Sequence, residues 1–123
     1  MKNKRWFDLA DAEASALMDA LPADLRGRLG GVSITLSDRP DAAETIEEGD
    51  EEELLGLFVG SPIYEDGAGS DLPPEIRLFV ANIRDEANGN ETAFKREVRT
   101  TLLHEIGHYL GLEEDDLEQR GLA

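Results

Sequence analysis

The chain holds two histidines, and they stand four residues apart with a glutamate after the first: His104-Glu105-Ile106-Gly107-His108. On a helix, residues i and i+4 project from one face with Cβ atoms about 5–6 Å apart. Two neutral imidazoles so placed can share one Zn²⁺ at roughly 2.0–2.1 Å. Glu105 is turned about 100° around the axis from the first of them. That is too far for an equal third ligand, but it reaches a water beside the metal. Zinc lowers the pKa of such a water toward about 7, and a neighbouring carboxylate can take its proton. The chemistry this spacing supports is metal-assisted hydrolysis.

Zinc needs at least a third protein ligand. Gly111 lets the helix end in a left-handed turn, after which the chain can fold back. Glu114 follows within three residues, so the string is H-E-x-x-H-x-x-G-x-x-E. Asp115 is the substitute ligand, because Glu113 to Asp116 is an unbroken acidic run. The same acids can cap a closing helix as negative charge at its N-terminus. A chance match to the two histidines, the glutamate and the glycine has odds of roughly 2 in 10,000. The pair is therefore read as a metal site rather than as two surface histidines. Gly107 reads as close packing of its helix face against the sheet, and Tyr109 as core.

The elements that must carry this motif follow from periodicity. Phe94, Val98, Leu102, Ile106 and Tyr109 step by four or three, which predicts an amphipathic helix from near Asn90 or Thr92 to Gly111. A short acidic helix follows, from about Glu113 to Gln119. Upstream, Leu9, Ala10, Ala14, Leu17, Met18 and Leu21 predict an N-terminal helix, interrupted by Pro22 and ended by Gly30-Gly31. Val32 to Leu36 alternates as a half-buried strand. Leu54 to Gly60 reads as a second strand and Ile76 to Val80 as a third. Asp41 to Glu53 reads as a solvated acidic loop, Ser61 to Pro74 as a loop or wide hairpin, and Asn82 to Asn90 as polar with a helical turn. The order predicts an α+β domain spanning 1–123. Its sheet is small and mixed, of three to four strands, packed on the N-terminal helix and the motif helix.

Composition sets the limits. The chain has 123 residues, 28 acidic against 12 basic side chains, a net charge of −16 and no Cys. One core fits this length. Disulfides, thiol nucleophiles and Cys-type metal sites are excluded. The charge excludes binding to nucleic acid or to an anionic membrane surface, and it favours basic peptides. No run approaches the roughly 20 apolar residues that cross a bilayer. Asp8, Asp11 and Glu13 break what would be the apolar part of a leader, so a cytoplasmic location is expected, as a monomer or weak oligomer.

The stretch from His104 to Leu112 with the acids after it resembles the small bacterial zincin-like metallopeptidase domain, a minimal zincin with an extended motif. The resemblance continues upstream through Leu17 to Leu25, the Val32 strand, Leu54 to Pro62 and Leu72 to Ile76. It implies that His104, His108 and Glu114 bind zinc and that Glu105 is the general base. It also implies a peptide or protein substrate that adds to an antiparallel edge strand. Ile76, Arg77, Leu78, Phe79 and Val80 are the expected strand. The chain departs from full-sized metzincins in having no Met after Met18 and neither His nor Tyr after Tyr109. Two functions are therefore weighed: a zinc-dependent peptide hydrolase, and a zincin-fold binding or regulatory module with a structural metal and little or no turnover.

Overall fold

The computed structural model describes residues 3–40, 54–60 and 74–119. The expected acidic loop at 41–53 and loop or hairpin at 61–73 lie outside the described residues. The N-terminal helix α1 (Lys4–Ala20) buries Ala10 and Ala14, whose small side chains let it approach the core closely. Pro22 stands just before α2 (Ala23–Arg28), where its missing N–H costs nothing because no helical bond is made there. Leu25 and Leu29 anchor this short piece in the core.

Three strands follow: β1 (Ser33–Ser37), β2 (Gly56–Val59) and β3 (Glu75–Phe79). Their spatial order is β1-β3-β2, with β1 parallel and β2 antiparallel to β3. Ile34 and Leu36 stand opposite Ile76 and Leu78, which stand in turn opposite Phe58 and Gly56. The apolar members of this row face the helices, and Ile76 and Leu78 are fully buried.

Two expectations need correction. Ile76 to Val80 is not an edge strand. Residues Glu75–Phe79 form the middle strand and are hydrogen-bonded on both sides, and Val80 already belongs to the next helix. Among the described residues, the antiparallel edge is β2. The polar stretch from Asn82 is more than a helical turn: α3 (Val80–Glu86) starts directly from β3 and buries Val80, Ala81 and Ile83. Asn82 is buried too. Its amide donates to the Leu54 carbonyl at 2.8 Å, and Arg39 donates to its Oδ1 at 2.7 Å. One side chain thus ties α3 to the segment after β1 and to the root of β2.

The chain reverses through Asn88 and Gly89, both at positive φ, into α4 (Glu91–Leu110). Asn90 caps this helix by accepting from the Ala93 N–H at 2.8 Å. Phe94, Val98, Leu102 and Ile106 run along its buried face, as the spacing predicts. Trp6 of α1 packs edge-on against Phe94 with ring centroids 4.8 Å apart. The last element is α5 (Glu114–Gln119), held to the core by Leu117.

Candidate metal centre

The motif occupies the last turns of α4. His104 and His108 are exposed, with ring centroids 4.6 Å apart, whereas Glu105 is 6% exposed. Nitrogen atoms of the two imidazoles and a carboxylate oxygen of Glu105 all lie within 4.8 Å of one another. Glu105 Oε2 stands 3.8 Å from His108 Nδ1. Two ligands of one zinc at roughly 2.0–2.1 Å sit about 3.4 Å apart in a tetrahedral site. Exposed imidazoles reach that spacing by side-chain rotation. The two imidazole nitrogens are donors that zinc accepts, and the Glu105 carboxylate stands beside them. His104, Glu105 and His108 thus form a group that can hold a metal ion.

The turn after the helix is built as the glycine predicts. Gly111 has φ 72° and ψ 26°, in the left-handed region. The Leu112 N–H donates to the Gly107 carbonyl at 2.8 Å, and the Gly111 N–H points to the His108 carbonyl at 3.4 Å. This six-to-one and five-to-two pair is a Schellman ending. Gly107 has a different reason from the one expected. A Cβ there would stand 3.0 Å from the Leu112 carbonyl oxygen and 3.6 Å from Leu117 Cδ1. The crowding at this glycine comes from the chain folding back past the helix, not from the sheet.

The acidic run also separates into roles. Asp116 Oδ2 accepts from the Glu113 N–H at 2.9 Å, so Asp116, in the first turn of α5, caps the helix by reaching back to the residue before it. Asp115 is exposed and is not part of the metal-holding group. Glu114 opens α5 three residues after Gly111, and its side chain lies outside the described residues. Tyr109 is buried against Phe58 of β2, with ring centroids 5.4 Å apart, as a core residue should be.

Sequence reasoning did not single out Gly56 or Thr101. Both meet at the crossing of β2 and α4, beside Glu105. The available signal was a glycine inside a strand pattern, which marks a close approach of something to the backbone.

A family model described as zincin-like metallopeptidase matches residues 29–122. The match covers most of the chain and includes the whole motif, and the chain belongs to the zincin-like metallopeptidase family. A comparison with curated proteins finds no match. The family description implies a peptide substrate. Among the described residues, no helix is long and apolar enough to cross a membrane.

Proposed function

We propose that the protein is a zinc-dependent peptide hydrolase in which His104, His108 and Glu114 hold the metal and Glu105 is the general base. The observation that carries this reading is the convergence of two exposed imidazoles and one shielded carboxylate within 4.8 Å. Zinc bound there supplies Lewis acidity, which acidifies water and polarises a peptide carbonyl. Glu105 takes a proton from the attacking water and hands it to the leaving amine. One water is consumed for each bond cleaved, and a carboxylate and an amine result. Burial of Glu105 keeps bulk water from competing for its oxygens. For Glu114 the support is the Schellman ending, which turns the chain back just before α5, together with the capping duty of Asp116. An extended peptide would pair along β2, which runs beside α4 and has one side unpaired among the described residues.

The test pairs metal analysis with peptide cleavage. Glu105→Gln is expected to retain zinc and to lose about 10²-fold or more in kcat. His108→Ala and Glu114→Gln are expected to weaken zinc binding by at least about tenfold, while Asp115→Asn leaves it unchanged. If Glu105→Gln cleaves as fast as the wild type, the general base is misassigned. If the wild type holds zinc and cleaves no peptide in a diverse library, the protein is a metal-holding binding module instead.

A further inference from the structure

Gly56 opens β2 where that strand crosses α4. A Cβ at this position would stand 2.7 Å from Thr101 Cγ2, 3.4 Å from the Arg77 carbonyl oxygen and 3.5 Å from Glu105 Cγ. Thr101 and Glu105 are one helical turn apart and share a face. The Thr101 methyl therefore occupies the space that a side chain at position 56 would fill, and the Glu105 stem lies at ordinary contact distance from it. Gly56 has an ordinary strand conformation, so its requirement is for room rather than for backbone freedom.

The strand has little freedom to retreat from the helix. The Leu54 carbonyl accepts from buried Asn82 at 2.8 Å, and the Leu55 carbonyl accepts from the Phe79 N–H at 2.9 Å. Gly56 itself is registered against Leu78. Nor has Thr101 much room to swing away, because it is only 9% exposed. The stem of Glu105 thus lies beneath the β2 backbone with the Thr101 methyl beside it, and its carboxylate ends 3.8 Å from His108 Nδ1.

We infer that Gly56 is a positioning residue for Glu105: its missing side chain is the notch that seats the Thr101 methyl, and so brings the turn of α4 that carries Glu105 close under β2. The inference rests on Glu105 acting as general base, but the notch can be tested apart from turnover.

The experiment compares the wild type, Gly56→Ala, Thr101→Ser and the double variant. Thr101→Ser removes the methyl that the new Cβ would meet. In the metal-free protein, NMR is expected to show contacts from the Thr101 methyl and the Glu105 γ protons to Gly56 Hα. Gly56→Ala shifts the Glu105 γ resonances, and the double variant returns them toward those of Thr101→Ser. In the zinc-loaded protein, Gly56→Ala lowers kcat at least tenfold with KM and zinc affinity changed less than about threefold, since a misplacement of about 1 Å can cost about 10²-fold. The double variant regains a kcat within about threefold of Thr101→Ser alone.

Unmoved Glu105 resonances with unchanged kcat in Gly56→Ala overturn the inference. So does a double variant as impaired as Gly56→Ala, or a parallel loss of zinc and activity. Should Gly56→Ala fail to fold, the wild-type spectrum decides: no contact from the Thr101 methyl to Gly56 Hα overturns the inference, because that methyl must lie against Gly56. If the wild type cleaves no peptide, the hydrolase reading falls, and the metal-free spectra still decide whether the notch exists.

Discussion

Gly111 and Gly89 have nearly the same positive φ, 72° and 71°, yet they serve different neighbours. Gly89 joins α3 to α4 and has nothing within 4 Å of where a Cβ would stand. Gly111 sets the Schellman ending and so directs the chain from His108 to Glu114. An L-residue in this conformation costs roughly 1–2 kcal/mol at either place. Gly89→Ala and Gly111→Ala are therefore expected to lower the melting temperature of the metal-free protein by similar amounts. Only Gly111→Ala should also weaken zinc binding, as measured by competition with a chelator. Equal zinc affinities for the two variants would show that the turn does not bring a ligand to the metal.

The histidine pair sits toward one end of α4 and the Asn90 cap at the other, about 21–27 Å apart for 14 to 18 residues at 1.5 Å each. Removing the cap should therefore affect stability without touching the chemistry. Asn90→Ala is expected to cost about 1 kcal/mol, a few degrees in thermal melting, with kcat and zinc affinity unchanged. A fall in kcat would mean that fraying at the cap propagates to the site. This helix was the most legible part of the sequence. Its apolar residues repeat every three or four positions, and the motif is local, needing only i and i+4 on one face. Element types and approximate bounds for α1, β1, β2 and α5 were readable for the same kind of reason. What could not be read depends on distant partners. Leu78 to Ala81 is apolar without a break across the junction, so no change of period marks the start of α3. Alternation in Ile76 and Leu78 tells which face is buried but not how many neighbours the strand has, and the middle position of β3 was missed. The four consecutive acids look alike in sequence. Only the fold gives Asp116 its cap and leaves Asp115 outside the metal-holding group.

Over the molecule as a whole, the net charge of −16 acts on any charged substrate before contact. Given peptide hydrolysis, kcat/KM for a Lys- and Arg-rich peptide is expected to fall about tenfold or more as the salt rises from about 0.01 to 1 M. A neutral peptide of the same length should change much less. An equal salt response for both would remove long-range attraction as a source of selectivity. The strand order has a separate consequence, for the sequence of events in folding. The middle strand is the last of the three in the chain, and Ser33 waits for Glu75, 42 positions later, before β1 gains its parallel partner. Such long-range pairing is slow to form. From Glu75 to Leu110 the chain then runs through β3, α3 and α4 almost without a break. An isolated 20-residue helix is marginal in water, so α4 becomes firm only by docking on the closed sheet. On the proposed reading, capture of a metal by His104 and His108 in a newly made chain is thereby tied to the closing of the sheet, and falls late in the birth of the protein.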